Sequence, residues 1–573
     1  MTASGALAPL AYLLLAVAGH LPAFRSLATT TQCACEDAPQ TDWYLTWTPT
    51  ALLSGRELLH TTHLNVPDGV NLMWNTLLPL PGLLAAPVTL TVGPLASHTL
   101  LAVAAFAGSA TSMWWVARRW APWGWARFAA GLLYGFSPYL VAQGSGHLNL
   151  SLVALPPLVL LLLDDLLVRQ DRSPVRRGAL LGLVALAQLL TTEEVLASTF
   201  VLCVAGLVVL LVQHRGVVDR ARVRHAVVGL GVAAGLLTVL AAWPLAVQFA
   251  GPQRVTAPVQ DASPYAADVL GLVVPTAFQV LGSDLTTGWG GNASENGSYL
   301  GLPLLLVLAV LAVRLRRVPV VRFAVVLGAL AWVLSLGERL HLAGRVHDVP
   351  LPFTLVAHLP VLHNLAAVRL SLYVVLCAAL VVAVGLDRLH AAGRLRAGPT
   401  AAVALACAVP LLPAWPYGYV DAGTPSYFAS AAVRRVPLDS VVLTYPVPRF
   451  PDSAPMLWQA EADMRYRSLG GYVITPRSTG AGTFRGSVTG LERVFVDVRR
   501  GAPVPRSALL DARLRSELDA LRVDSVLVAT QVPGSDEARR YLGRLLRRGP
   551  DEVRGGVAAW YGVQADVGAT ARP

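Results

Sequence analysis

Long apolar runs alternate with short arginine-rich loops along the first 413 residues of the chain. A bilayer core needs roughly 20 apolar residues per helix, so the pattern predicts about eleven transmembrane helices. The predicted spans are 6–24, 96–117, 128–143, 148–168, 178–192, 195–213, 225–249, 299–313, 323–340, 367–386 and 397–413. Because no basic segment precedes the first run and no clear cleavage site follows it, that run is predicted to be a span and not a removed signal.

The apolar run 76–95 breaks this pattern because it carries four prolines, Pro79, Pro81, Pro87 and Pro94. One more crossing there would also move the following arginines to the other side of the membrane. We therefore expect helices that lie at or dip into the outer surface, where protein covers the backbone.

After residue 413 the pattern becomes that of a soluble α/β domain, 414–573. Short β-rich runs at 441–445, 523–529 and 557–563 alternate with amphipathic, arginine-rich helical patterns at 507–521 and 536–548. The sequence thus predicts a transmembrane domain, 1–413, whose first outer loop is 29–95, followed by this second domain.

The distribution of arginine orients the predicted spans. All 45 basic residues are Arg, and they cluster at 118–127, 169–177, 215–224, 314–322 and 388–396. Short loops rich in positive charge stay on the cytoplasmic side. The chain is therefore predicted to be a multi-pass plasma-membrane protein whose carboxy-terminal domain is extracytoplasmic. The net charge of +11 is thus explained by the membrane and implies no nucleic-acid partner.

One pair of cysteines and one pair of acidic residues could each suggest a functional site, but the sequence favours neither interpretation. A disulfide between Cys33 and Cys35 would close a very small, strained ring, so we expect none. Asp164 and Asp165 fall at a predicted cytoplasmic helix end, where we expect them to be solvated. No phosphate-cradling glycine loop and no zinc-binding spacing occurs in the sequence.

The first outer loop carries the most informative pattern. A carboxylate, Asp42, follows the first helix and is followed by aromatic residues, a Leu-Ser-Gly turn at 53–55 and the segment Pro-Asp-Gly-Val-Asn-Leu at 67–72. Further on come Phe-Ser-Pro-Tyr at 136–139 and Gly-His-Leu-Asn at 146–149. This order resembles the GT-C superfamily of polytopic glycosyltransferases, and in particular its actinobacterial members, which use lipid-linked sugars at the outer face of the membrane.

The resemblance extends through most of the chain in short, degenerate motifs. They include Glu-Asn-Gly-Ser-Tyr at 295–299, Asn364 with Arg369, Met-Leu-Trp-Gln at 456–459 and Gly-Gly-Tyr at 470–472. The resemblance implies a superfamily but does not identify a substrate.

It also implies roles for acidic residues. The first-loop acid of the superfamily, the usual catalytic base or acceptor-orienting group, matches Asp42, with Glu36 and Asp37 as near alternatives. The alternative is that Asp42 caps a helix over 44–53. Glu193 and Glu194, at the outer end of a span, are candidates to assist Asp42 or to bind a metal, since carboxylates so near hydrocarbon usually face a cavity. They could equally lie in the headgroup layer at a helix start.

The remaining candidates would bind substrate. Arg369, at the outward mouth of a span beside His363, is suited to a lipid phosphate, although an arginine there could also simply extend to the interface. His147 and Asn149 are candidate contacts or an interfacial polar pair, and Glu295 and Tyr299 are candidates to close the pocket. No cofactor is implied with certainty, and a divalent metal is left open.

Together these features predict an α-helical polytopic membrane protein with a GT-C-like fold. The expected activity is transfer of a sugar from a polyprenyl-phosphate donor to a cell-envelope glycan or glycolipid acceptor. The alternative is a non-enzymatic transporter or assembly factor for envelope polysaccharide or lipid. A transporter would place its charges near the bilayer midplane and show a two-fold repeat, whereas the acids here cluster at one face.

Overall fold

The computed structural model describes residues 3–33, 35–213, 219–259, 262–484, 486 and 489–568. The chain divides into two compact units. The first unit comprises 1–25, 99–242 and 261–418, and the second comprises 26–98, 243–260 and 419–573. Part of the arginine cluster at 215–224 lies outside the described residues.

The helices, in chain order, are α1 (Ala3–Gly19), α2 (Asp37–Leu53), α3 (Pro79–Thr91), α4 (Pro94–Ala117), α5 (Gly124–Gly135), α6 (Pro138–Gly144), α7 (Leu148–Ser151), α8 (Pro156–Leu163), α9 (Pro174–Leu189), α10 (Glu193–Gln213), α11 (Arg220–Ala250), α12 (Leu302–Arg314), α13 (Pro319–Ser335), α14 (Thr354–Ala357), α15 (Ser371–Ala391), α16 (Ala397–Leu411), α17 (Ala454–Glu461), α18 (Gly490–Arg499), α19 (Ala508–Ala520), α20 (Ser535–Leu546) and α21 (Val563–Gly568).

The strands are β1 (Thr30–Thr31), β2 (His60–Thr61), β3 (Val70–Asn71), β4 (Arg339–Leu342), β5 (Arg345–Pro350), β6 (Val420–Asp421), β7 (Val441–Tyr445), β8 (Arg467–Ser468), β9 (Thr475–Pro476), β10 (Gly482–Thr483), β11 (Val523–Ala529), β12 (Glu552–Arg554) and β13 (Val557–Trp560).

Every predicted span contains helix. Among the described residues, five helices are long and apolar enough to cross a bilayer, namely Pro94–Ala117, Leu148–Arg169, Glu193–Gln213, Arg220–Ala250 and Ala367–Ala391. Shorter apolar helices occupy most of the other predicted runs. The chain is thus a helical membrane protein, while the count of eleven crossings stays a prediction.

Two predicted spans are irregular. The run 128–143 is divided between α5 and α6, because Ser137 begins a new helix by accepting a hydrogen bond from the Leu140 amide at 3.3 Å and Pro138 follows it at the first helical position. The run 148–168 consists of α7, α8 and a π-helical turn at Asp164–Arg169. Single π-helical turns within α-helices are frequently found at functional sites.

The prediction for Asp164 and Asp165 is wrong in one respect. Asp165 is fully buried, not solvated. Its carboxylate is ion-paired with Arg119 and, at 3.0 Å, with Arg177. The arginines of two predicted cytoplasmic clusters therefore compensate an acid that would otherwise be costly to bury.

The second unit contains a five-stranded sheet of order β12-β13-β11-β7-β8. Strands β8, β7 and β11 run parallel, and β13 and β12 are antiparallel additions. Strand β7 is buried at every position, as expected of a central strand covered on both faces. Phe495 of α18, Leu514 of α19 and Leu542 of α20 belong to the core that packs with it.

The segment 29–95, which the sequence pattern assigned to the transmembrane domain as its first outer loop, belongs to this second unit. The Asn65 amide donates to the Gly470 carbonyl at 3.1 Å and the Ser468 amide to the His63 carbonyl at 2.8 Å. Trp43 Nε1 donates to Gln459 Oε1 at 2.7 Å. The loop is thus secured to the carboxy-terminal segment by contacts between residues some 400 positions apart, which no local pattern encodes.

Two details of that loop depend on backbone geometry. Cys33 and Cys35 are joined in a disulfide, so the prediction of no bond is wrong; their Cα atoms lie 5.1 Å apart, within the range that a disulfide bridges. Gly69 has a φ of +73°, and a Cβ there would stand 2.7 Å from the Thr61 carbonyl oxygen, which explains the glycine of the Pro-Asp-Gly-Val-Asn-Leu motif.

Candidate functional site

A buried ionic cluster in the first unit brings together four of the predicted residues. The Arg369 guanidinium donates through Nε to Glu295 Oε1 at 3.1 Å and through Nη2 to the same carboxylate, and through Nη1 to Glu194. His147 Nδ1 lies 3.9 Å from Glu295 Oε1. We call this group, with Gln143, the Arg369 cluster.

Gln143 is the member that the sequence did not suggest. Its Nε2 donates to Glu295 Oε2 at 2.8 Å, and its Oε1 lies 2.8 Å from His147 Nδ1. Residues four apart on a helical turn share a face. The position of Gln143 four residues before His147 was therefore the available signal.

The segment that carries Glu295 packs closely against helix α6, which carries Gln143. Glu295 ends a 3-10 turn, Ala293–Glu295, in which Asn292 accepts a hydrogen bond from the Glu295 amide. A Cβ on Gly297 would lie 2.8 Å from the Tyr139 Cα, so only glycine lets this segment pack on α6. The Glu-Asn-Gly-Ser-Tyr motif thus places its acid beside the Phe-Ser-Pro-Tyr helix.

The cluster keeps Glu295 ionised although its side chain is fully buried. Burial by itself raises the pKa of the carboxyl, but the positive charges of Arg369 and His147 and the hydrogen bonds from Arg369 and Gln143 outweigh it, so the net pKa is below its ordinary value of 4.5. A carboxylate held in this way is fixed in position and is a poor proton acceptor.

Arg369 retains binding capacity after these contacts. A guanidinium has five N–H donors, and the Nε, Nη1 and Nη2 contacts engage three of them. The carboxylates of Glu194 and Glu295 together carry one more negative charge than the guanidinium carries positive charge. An anion would therefore bind to the remaining two donors most easily if Glu194, whose side chain is 23% exposed, withdrew or lost its charge.

The second unit holds a separate buried pair, Asp42 and His98. His98 Nδ1 lies 2.8 Å from Asp42 Oδ1, and the Asp42 side chain is almost completely buried. This distance is that of a hydrogen bond between the imidazole and the carboxylate. Within the described part of the chain, Asp42 Oδ2 is buried without a hydrogen-bond partner.

Asp42 is not a helix cap. Helix α2 begins at Asp37, with Glu36 at its cap position, so Asp42 lies in the second turn. The capping alternative assumed a helix start near residue 44, and the helix starts seven residues earlier. His98 was not predicted, although a single imidazole in the first turn of the apolar α4 was a visible signal.

The charge of Asp42 affects a second acid of the same unit, Glu461. Burial raises the pKa of Glu461 to about 7, and the negative charge of Asp42 contributes to this rise. Glu461 is the last residue of α17. A carboxyl with a pKa near neutrality is able to take up and release protons under physiological conditions.

The other predicted residues are Tyr299, Asn149, His363 and Glu193. Tyr299 is buried, and Asn149 and His363 are half-buried. Glu193 is half-buried at the first position of α10, one residue before the Glu194 that contacts Arg369. Among the described residues, no three His, Cys, Asp or Glu side chains are arranged to hold a metal ion.

The apolar helices define a helical membrane protein that contains two buried clusters of polar side chains. The chain belongs to a family described as a domain of unknown function, DUF6311, whose sequence model matches residues 54–363. No curated protein sequence matches the chain.

Among solved structures, the chain is similar to the arabinofuranosyltransferase AftD from Mycobacteria, with 16% identity, 92% of this chain and 35% of AftD covered, and a TM-score of 0.51. A mutant form of AftD gives 14% identity, coverages of 92% and 36%, and the same TM-score. The oligosaccharyltransferase of Archaeoglobus fulgidus gives 12% identity, coverages of 95% and 71%, and a TM-score of 0.47.

The chain thus spans about a third of the length of AftD. At these identities the likeness concerns only the fold that the chain shares with AftD.

Proposed function

We propose that this chain is a membrane glycosyltransferase of the GT-C type. It moves a sugar from a polyprenyl-phosphate donor to a cell-envelope glycan or glycolipid at the outer face of the plasma membrane. The fold shared with an arabinofuranosyltransferase supports glycosyl transfer and suggests arabinofuranose as the first sugar to test.

The observation that carries the proposal is the environment of Asp42. One carboxylate oxygen is held by His98, and the other is buried with no partner among the described residues. Burying an unpaired carboxylate oxygen is costly, and such groups are retained where they act. Asp164 and Asp165 also have an Oδ2 without a hydrogen bond, but each of these oxygens is ion-paired with arginine, whereas Asp42 Oδ2 has no such partner among the described residues.

Asp42 would act as the general base. The acceptor hydroxyl gives its proton to the free Asp42 oxygen, while the acceptor oxygen forms a bond to the anomeric carbon of the donor sugar. The bond between that carbon and the phosphate oxygen breaks, and polyprenyl phosphate leaves with the electron pair. His98 is a positioning residue, since it holds the carboxylate that accepts the proton.

The Arg369 cluster would bind the donor phosphate. Two of the five guanidinium N–H donors make no hydrogen bond to the described residues, and the strongly held Glu295 keeps the group oriented. In this proposal the donor phosphate displaces the Glu194 carboxylate from Arg369. The alternative is that Glu194 acts as a second catalytic acid. We assign no step to a metal ion.

Complementation of a strain that lacks the gene tests the base. Linkage analysis of the envelope glycan is compared for wild type, Asp42→Asn, His98→Gln and the matched control Asp37→Asn, at equal membrane levels. We expect Asp42→Asn to lose about 10²–10⁴-fold in transfer, because the base is gone. Asp37→Asn should complement, and His98→Gln should retain partial activity with a shifted pH profile. Full complementation by Asp42→Asn would exclude Asp42 as the base.

A kinetic measurement on Glu194→Gln tests the phosphate site. Removing one negative charge beside Arg369 should lower the KM for the polyprenyl-phosphate donor and leave kcat within a few-fold. A lost kcat at unchanged KM would instead assign Glu194 to the transfer chemistry. Glu57→Gln, at a carboxylate whose side chain is 54% exposed, is the control and should change neither constant.

A further inference from the structure

The first unit contains an apolar cavity that the proposed transfer reaction does not use. Its volume is about 360 Å³, within the range of sites that hold small molecules. Helices α8, α10, α13 and α15 supply its walls through side chains such as Leu160, Leu202, Leu210, Phe323 and Leu376. The exposed side chain of Leu207, on the same wall, shows that the cavity reaches the surface of the molecule.

One end of the cavity is polar but neutral and internally satisfied. Thr199 Oγ1 lies 2.8 Å from the Tyr373 hydroxyl, which also contacts Ser198 Oγ at 2.8 Å and the Val195 carbonyl at 3.2 Å. Among the described lining residues, this end offers no charge to a ligand.

The other end is cationic. It is lined by Trp120, Asp164, Arg169 and Arg388. The four belong to one neighbourhood, because Arg169 Nη2 donates to the Arg119 carbonyl at 3.3 Å and the Trp123 amide donates to Asp387 Oδ1 at 2.8 Å.

The two arginines at this end of the cavity differ in the ion pairs that they make. Arg169 Nε lies 3.4 Å from Asp164, which also meets Arg119 at 3.5 Å. Arg388 is exposed and makes no ion pair or side-chain hydrogen bond within the described part of the chain. An uncommitted cation therefore stands at the mouth of an apolar cavity, which is the arrangement that an anionic amphiphile requires.

We propose that this cavity binds an anionic phospholipid, with its phosphate at Arg388 and Arg169 and one acyl chain between α8, α10, α13 and α15. From Tyr373 to Arg388 along α15 the distance is about 22 Å at 1.5 Å per residue, enough for an extended acyl chain. The arginine distribution predicts that this end faces the cytoplasm, where anionic headgroups are concentrated. The proposal is independent of the transfer reaction.

The experiment uses the full chain, purified in a mild detergent and stripped of lipid. The thermal midpoint is recorded with phosphatidylglycerol, with phosphatidylcholine of the same acyl chains, and with a polyprenyl phosphate. Arg388→Gln is compared with Arg396→Gln, an exposed arginine of the same cluster that does not line the cavity. Leu210→Trp, which fills the cavity, is compared with Leu211→Trp on the lipid-facing side of α10.

We expect phosphatidylglycerol to raise the midpoint of wild type, Arg396→Gln and Leu211→Trp by mass action. The apparent Kd of phosphatidylglycerol for Arg388→Gln should be at least about tenfold higher, because one hydrogen bond to a charged group is lost. Mass spectrometry of the purified protein should find phosphatidylglycerol retained by wild type and depleted in Arg388→Gln. If Leu210→Trp does not fold, the comparison of the two arginine variants decides.

Three results would overturn the proposal. Equal stabilisation by phosphatidylcholine would mean that the headgroup charge is not recognised. Stabilisation by polyprenyl phosphate alone would assign the cavity to the sugar donor. Equal loss in Arg388→Gln and Arg396→Gln would reduce the effect to general surface charge.

Discussion

Among single residues, the two buried acids Asp42 and Glu295 lie in opposite electrostatic environments. Glu295 is surrounded by a guanidinium, an imidazole and an amide, which lower its pKa and fix its position. Asp42 has one imidazole partner and one unpartnered oxygen within the described residues. The first environment stabilises a permanent charge, whereas the second leaves an oxygen available for a proton.

Glu461 gives a pH-dependent prediction. Its folded pKa of about 7 is above the ordinary 4.5, so the folded state binds more protons than the unfolded state between these values. Stability contributed by this group is therefore lost as pH rises from about 4.5 to 7. Thermal midpoints of Glu461→Gln should match wild type at pH 5 and exceed it at pH 8.

The same titration has two controls. Asp42→Asn removes a negative charge that raises the pKa of Glu461, so in that background the pH dependence should move to lower pH. Glu57→Gln is the second control, because it removes a carboxylate whose side chain is 54% exposed. A midpoint difference for Glu461→Gln that is the same at both pH values would refute the raised pKa.

At the scale of elements, the helices are interrupted beside the residues of the Arg369 cluster. The α5–α6 break places Gln143 and His147 on one short segment, and the segment after α11 brings Glu295 against it. Arg369 lies two residues before α15, within a 3-10 turn, Ala367–Leu370. Continuous helices through these positions would have separated the partners.

Gly297 is the element-scale test of this arrangement. Gly297→Ala would set a Cβ 2.8 Å from the Tyr139 Cα, a backbone atom that cannot move alone. We expect a loss of about 1–3 kcal/mol in stability and a fall in transfer activity, because Glu295 moves away from Gln143.

Gly288→Ala is the matched control, since a Cβ there meets nothing within 4 Å in the same outer loop. Its stability should stay within about 0.5 kcal/mol of wild type. Equal thermal midpoints and activities for the two alanine variants would contradict the close approach of this loop to α6.

For the whole molecule, the arginine distribution predicts the side of the membrane on which each loop lies. Single cysteines at two exposed positions, Arg396→Cys and Arg554→Cys, test it on intact cells with a membrane-impermeant maleimide. Arg554→Cys should be labelled directly, and Arg396→Cys only after permeabilisation. The wild-type chain measures the background of its own cysteines, and direct labelling of both variants would contradict the predicted topology.

The sequence by itself determined the elements. Each apolar run contains helix, and the strands at 441–445 and 523–529 occur where predicted, because side-chain periodicity and burial act over neighbouring residues. Several site residues were also recognisable, since acids and an arginine at the ends of apolar helices are expensive and therefore conspicuous.

Only the tertiary structure decided which groups meet. Arg369 pairs with Glu194 and Glu295, which lie 175 and 74 residues away, and Asp42 pairs with His98 across 56 residues. The tertiary structure also places residues 26–98 in the same compact unit as the carboxy-terminal sheet, and it buries Asp165. Such pairs form only when distant segments pack together, because that packing brings opposite charges and backbones close to one another. The local pattern of polar and apolar residues does not specify which segments pack together.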